Sequence, residues 1–246
     1  MTARRVLLTG AGGRIGTAFR NLAGDNYTLR LADRRDVAPT TASEEALTFD
    51  IADAAACQEA CRGVDTVIHF AADPSRQADF YGSLFENNIK GTYNIFRAAK
   101  DQGCRRVIYA SSINAVDGYP RDRQVTPDDP VHPPNMYGVS KCFGEAVASY
   151  FAHTEGLSSI VVRIGTFYGP NLPAQITARN LSTLVSHRDL TQLLVRCIET
   201  PDIPFAIVHG VSDNHYKRLD ITSARELLGY APQDDAFRLF DIPLPE

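Results

Sequence analysis

No apolar run of roughly 18 residues occurs in this 246-residue chain, which argues against a membrane-spanning helix. Nor is there a basic run interleaved with aromatics. Arg34-Arg35 and Arg105-Arg106 are isolated pairs and the net charge is −4, so neither nucleic acid nor a membrane is an expected partner. The five cysteines (Cys57, Cys61, Cys104, Cys142, Cys197) are odd in number and lack CxxC spacing or a His partner pattern. They read as reduced thiols, with no disulfide framework and no metal site expected. Repeats and low-complexity tracts are also missing. The first strand begins within about five residues of Met1, which leaves no room for a signal peptide and predicts a cytoplasmic protein. What is present, 44% hydrophobic and 22% charged residues, is ordinary for a globular chain with one core. The length suits a single domain over 1–246, with 169–246 as a small extension too short for its own core.

Apolar runs alternate with amphipathic helical stretches. Strands are read at Val6 to Leu8, Tyr27 to Ala32, Val64 to Phe70, Arg106 to Ala110, Ser159 to Ile164 and Phe205 to His209. Helices are read from Ile15, Asp53, Phe85 and Tyr137, over Asp189 to Glu199 with Asp189 as N-cap, and over Ser223 to Leu228 before Gly229. That order predicts an α/β fold, a doubly wound parallel sheet with helices on both faces. Runs such as Val67-Ile68-His69-Phe70 lack polar alternation, as strands buried on both sides do. Five prolines between Gly118 and Asn135 mark a loop, and Gly169 to Ala178 reads as another.

The stretch Thr9-Gly-Ala-Gly-Gly-Arg-Ile-Gly16 joins the first strand to the first helix. Gly10 permits the tight turn, Gly13 allows close approach of a pyrophosphate, and Gly16 lets helix pack near strand, while Arg14 and Ile15 open the helix whose free NH groups attract phosphate. The second strand ends in Asp33, 17 residues beyond Gly16, where a carboxylate can bond the adenosine ribose hydroxyls. A carboxylate there favours NAD over NADP, although Arg34 and Arg35 could accommodate a 2′-phosphate. Tyr137 and Lys141, four apart on one helix face, form a second constellation. An ammonium beside a phenol favours the phenolate, which is a usable base.

Seven ordered motifs complete the pattern: TGAGGRIG, Asp50-Ile51, His69-Phe70-Ala71-Ala72, Asn88-Ile-Lys-Gly-Thr92, Ala110-Ser-Ser112, Tyr137-Gly-Val-Ser-Lys141 and Arg163 to Pro170. With them the chain resembles the extended short-chain dehydrogenase/reductases, the NAD-dependent epimerase/dehydratase superfamily of Rossmann proteins. Within it, the pattern is most similar to uronate dehydrogenases and related NAD-dependent glucose-6-phosphate dehydrogenases.

The resemblance implies catalytic roles for Ser112, Tyr137 and Lys141, and an NAD site including Asp50, Ile51, Phe70, Ala71, Ala72, Asn88, Phe167 and the residues already named. It implies a sugar held by Ser75, Ser112, Ile113, Asn114, Tyr137, Thr166 and Arg179, with Arg179 facing a carboxylate or phosphate. Asp73 lies beside Ser75 in the same loop, and His187 reads as structural. Two positions depart from the uronate pattern: Ile113 stands where those enzymes have asparagine, and Asn114 where they have histidine. In many epimerases and dehydratases the catalytic Ser or Thr stands at the position of Ile113, so its absence counts against that chemistry. The expected activity is oxidation of the anomeric carbon of a small sugar, a hexuronate first, to its lactone. The alternatives are a nucleotide-sugar epimerase or dehydratase with retained NAD, a glucose-6-phosphate dehydrogenase, and a non-catalytic dinucleotide sensor. The helix bearing YxxxK and the one before it often pair subunits in such proteins, so a homo-oligomer is expected.

Overall fold

The computed structural model describes residues 3–168 and 176–243. The end of the Arg163 to Pro170 motif, and most of the loop expected over 169–178, lie outside those residues. Seven parallel strands form the main sheet in the order β3-β2-β1-β4-β5-β6-β9. They are β1 (Arg5–Thr9), β2 (Thr28–Asp33), β3 (Glu44–Thr48), β4 (Thr66–His69), β5 (Arg106–Ser112), β6 (Ser158–Ile164) and β9 (Phe205–Gly210). The order reverses between β1 and β4, which opens a crevice at their carboxyl ends.

Successive residues of the central strands point to opposite faces, and each face is apolar. Val6, Leu8, Ile68 and Ile108 pack with Phe19 of α1 (Arg14–Ala23) and with Leu193, Leu194 and Cys197 of α6 (His187–Glu199). Leu7, Val67, Val107 and Tyr109 pack on the other side with Cys57 of α2 (Ala54–Cys61), Phe96 of α3 (Gly91–Asp101) and Phe151 of α4 (Met136–His153). A strand clad on both faces needs apolar residues at both parities, which is why these runs show no alternation.

Several local expectations shift. The edge strand β3 was not among the strands expected: its sequence EEALT is largely solvent-facing and carries little apolar signal. A π-helix over Phe80–Lys90, capped by Asp79, runs directly into α3, so that helical segment begins before Phe85. Helix α6 is capped by Ser186, not Asp189. Ser186 Oγ accepts from Asp189 N at 3.1 Å, while the buried Asp189 carboxylate accepts from the backbone NH groups of Gln233 and Asp234 at 2.9 and 3.0 Å. Gly229 ends α7 (Thr222–Leu228) with φ 65°, as a glycine stop should. A small parallel pair, β7 (Thr166–Tyr168) and β8 (Leu184–Ser186), and the short helices α5 (Ala178–Thr183) and α8 (Ala236–Leu239) complete the architecture.

The proline loop before α4 is pinned by the C-terminal segment. Val125 and the 218–220 segment exchange backbone hydrogen bonds of 2.9 Å, and the Arg218 guanidinium donates to the carbonyls of Tyr119, Pro120 and Arg123. Residues within 169–246 therefore serve both the main sheet, through α6 and β9, and the approach to Tyr137.

Beneath α4 lies a buried ion pair. Arg163 donates to Glu145 Oε1 and Oε2 at 2.9 and 2.8 Å, and Ser111 Oγ adds a 2.6 Å bond to Oε1. Both side chains are at most 5% exposed, so neither charge has water to fall back on. Arg163→Met alone should cost about 3–5 kcal/mol in urea unfolding, because it strands the carboxylate, whereas Arg163→Met with Glu145→Leu should recover most of that loss. Equal costs for the single and double variants would contradict this account.

Candidate active site

A cleft of about 630 Å³ runs along the carboxyl ends of the strands, from Asp33, Arg34 and Asp50 past the glycine turn to Ser112, Tyr137 and Lys141. The turn at its middle needs glycine at two positions. Gly10 has φ +70°, and a Cβ on Gly16 would lie 2.6 Å from the Gly10 carbonyl oxygen. Gly13 stands at the start of α1 without any side-chain cap, leaving backbone NH groups free toward the cleft. Arg14 donates to the Phe167 carbonyl at 2.9 Å, and the Phe167 ring stacks on His187 with centroids 4.5 Å apart, so these residues form one wall.

Asp33 ends β2 with its carboxylate held by Gly12 N at 3.0 Å and Arg35 N at 3.2 Å. Each oxygen keeps capacity for a further donor, as a ribose diol requires. Asp50 and Ile51 lie on the same side; Ile51 presses so close to α3 that a Cβ on Gly91 would meet it at 2.5 Å. Phe70, Ala71 and Ala72 follow β4 along the cleft floor. Under them, Thr9 Oγ1 accepts from Ala71 N at 3.3 Å and sits 2.8 Å from His69 Nδ1, while burial pushes the His69 imidazole down to about 3 and keeps it neutral.

The inner end holds the titratable groups. Lys141 is 4% exposed, donates to the Ala110 carbonyl at 2.8 Å, and lies by the rings of Tyr109 and Tyr137 at 5.1 and 5.7 Å from their centroids. Burial lowers its ammonium to about 8, against a smaller pull upward from Glu145. Burial raises the Tyr137 phenol, and the nearby Ser112 hydroxyl opposes that rise. A nearby hydroxyl donor and an ammonium both favour the phenolate, so the three groups together can move a proton.

Other sequence candidates are placed differently. Asn88 does not line the cleft: it brackets the loop after β4 to α4, bonding Asp73 N and O and Ser140 Oγ at 2.8–3.1 Å. Ile113 is buried in the apolar core, and Asn114 is bonded to Ser112 and Asn135. Arg179 is engaged by Asp117 Oδ2 at 2.9 Å and Thr166 Oγ1 at 3.0 Å, beside the cleft instead of in it. Ser75 is exposed and accepts from Gln77 N at 3.2 Å. Asp73, singled out with Ser75 in the sequence, does line the cleft, and the structure adds Pro74, Ser83 and Asn87; Ser83 and Asn87 come from the π-helix, whose wide turn has no sequence signature.

Burying an ammonium with one carbonyl partner weakens the fold. At pH below about 8 both folded and unfolded chains are protonated and the penalty is full, on the order of 3 kcal/mol. Between 8 and the ordinary lysine value the unfolded chain holds the extra proton, so stability should rise with pH. Lys141→Met should therefore unfold at higher urea than the parent at neutral pH and lose that advantage near pH 11, roughly.

The whole chain has close counterparts. It is 37% identical to the uronate dehydrogenase of Pseudomonas putida over 234 residues, 94% of this chain and 85% of that protein. It is 39% identical to the NAD-dependent glucose-6-phosphate dehydrogenase of Haloferax volcanii over 249 residues, 94% of each. A variant of uronate dehydrogenase from Agrobacterium tumefaciens, solved in complex with NAD, has a TM-score of 0.87 at 34% identity, covering 99% of this chain and 91% of that one. The NAD dependent epimerase/dehydratase family matches residues 6–198, the stretch that builds the cleft from the glycine turn to the end of Phe167 and on into α6, and the chain belongs to that family.

Proposed function

We propose that this protein is an NAD-dependent dehydrogenase that oxidises the anomeric carbon of a hexuronate to its lactone. The observation that carries this reading is the convergence of Ser112, Tyr137 and Lys141 at the inner end of a cleft whose outer end is set by Asp33. NAD held in that cleft supplies a hydride acceptor for the C1 hydrogen. Asp33 would bond its adenosine ribose, and the free NH groups at the start of α1 would hold its pyrophosphate. Tyr137 Oη, as phenolate, takes the proton of the C1 hydroxyl as the C1–O bond becomes a carbonyl. Ser112 donates to that oxygen, and the Lys141 ammonium stabilises the phenolate.

Arg179 supplies the anion contact. Three of its five N–H groups bond one Asp117 oxygen and the Thr166 hydroxyl, which orients it beside the cleft and leaves two for a further acceptor. The likeness to uronate dehydrogenases favours a carboxylate. A sugar phosphate is the second reading, favoured by buried Ile113, which offers no hydrogen bond where uronate enzymes have an asparagine. The reading includes one domain over 1–246, with 169–246 covering the sugar. It also includes action in the cytoplasm and a homodimer through α3 and α4, where Tyr93, Val139 and Tyr150 are exposed.

Three outcomes are expected when NADH formation is followed with glucuronate, galacturonate, glucose 6-phosphate and neutral aldoses. Tyr137→Phe should lower kcat by about 10²–10⁴-fold, and turnover equal to the parent would refute the mechanism. Arg179→Ala should raise KM for the anionic sugar by about 10–100-fold and leave a neutral aldose nearly unchanged. Because burial raises the Tyr137 phenol, kcat should climb with pH toward an alkaline plateau, and Ser112→Ala should move that climb to still higher pH.

A further inference from the structure

Four polar groups form a chain of hydrogen bonds with one direction. The backbone NH of Gly138 donates to Asn135 Oδ1 at 2.8 Å, making Asn135 the N-cap of α4. A backbone NH cannot accept, so this bond decides which way the Asn135 amide faces. Its Nδ2 is left pointing at Asn114 and donates to Oδ1 there at 3.1 Å. The Asn114 amide is thereby oriented too, and its Nδ2 donates to Ser112 Oγ at 3.1 Å. Asn114 N donates to the same oxygen, also at 3.1 Å. Two donors occupy both lone pairs of the Ser112 hydroxyl, and only its proton remains to be given. Ser112 and Tyr137 line the same end of the cleft, so before a sugar takes that proton it is available to the Tyr137 oxygen, whose ionisation the Ser112 hydroxyl favours.

The arrangement is built into the backbone as well. A Cβ on Gly138 would lie 2.2 Å from the Asn114 carbonyl oxygen, so only glycine lets the first turn of α4 seat on Asn114. Asn114 is 6% exposed and its amide is committed at both ends, which leaves it little to offer a sugar.

We propose that Asn114 and Asn135 are positioning residues that make Ser112 a one-way hydrogen-bond donor, and that the N-cap of α4 sets the direction. This rests on the assignment of Ser112 and Tyr137 to the chemistry above. Were the amides absent, the Ser112 hydroxyl could turn and accept, and the phenolate would lose a donor. The other groups facing Tyr137 are Lys141 on its own helix, Tyr109 of β5, and Asp73 and Arg76 after β4; none is altered by the variants below.

The test uses two neutral substitutions in the NAD-loaded protein. Asn135→Ser keeps a capping oxygen of equal quality but has no amide. Asn114→Leu removes the middle amide at similar shape, and if it fails to fold Asn135→Ser decides alone. Each should lower kcat about tenfold and move the pH midpoint of kcat up by about 1 unit, with KM for NAD within about twofold. The Tyr137 ionisation is read separately, without sugar, by NMR of isotope-labelled tyrosine ring carbons, with Tyr137→Phe identifying the signal. Its midpoint should rise in both variants. A parent inactive on uronates whose Tyr137 midpoint still rises in the variants would sink the uronate reading and uphold this inference. Unchanged Tyr137 midpoints and pH profiles, with only a lowered Tm, would overturn the inference.

Discussion

Helix α4 reaches its seat because two of its residues have no side chain. A Cβ on Gly138 would collide with the Asn114 carbonyl, and one on Gly144 would lie 2.1 Å from the Tyr109 ring. Interiors pack at crystal-like density, so even one methyl group at either place would push the helix outward. A displaced α4 would carry Tyr137 and Lys141 away from Ser112 at the end of β5. The same docking sets the Lys141 ammonium on the Ala110 carbonyl and brings Glu145 onto Arg163 and Ser111. Catalytic geometry and core packing thus share one constraint.

That constraint forces charge into places where charge is expensive. Lys141 keeps one carbonyl and two aromatic faces in exchange for water, which leaves its ammonium easier to deprotonate than usual. One helical turn further on, Glu145 is matched by a two-pronged arginine and a serine hydroxyl, three donors that hold the helix in register with β6. The partially supported charge faces the cleft. The fully supported one faces the core.

The C-terminal third acts on the site from a distance. Asn214 and Ser212 tie the segment after β9 to Leu184 and Ser186 of β8, and Arg218 holds the proline loop that delivers Asn135 to the start of α4. Arg179, from the same third, is presented to the cleft rim by Asp117 of that loop region. This side of the cleft is therefore assembled from segments about 60 residues apart or more.

Much of this was legible in the residues themselves. Glycine spacing after an apolar run, a carboxylate ending the second strand, and a tyrosine four before a lysine are local patterns with local physical causes, and they located the glycine turn, Asp33 and the YxxxK pair that line one cleft. Apolar periodicity exposed the central strands, which are covered on both faces, but not the wet edge strand β3. Partners distant in the chain were not legible. Nothing near Arg179 announces Asp117, nothing near Asp189 announces the backbone NH groups of 233 and 234 that its carboxylate receives, and nothing near Asn88 announces that it bonds Asp73 and Ser140. The sequence alone determined which chemical groups the protein owns and which short elements carry them, because those depend on side-chain chemistry and period. Only the tertiary structure decided which of those groups are free to react and which are spent on one another, because hydrogen-bond capacity is finite and its allocation depends on contacts across the fold.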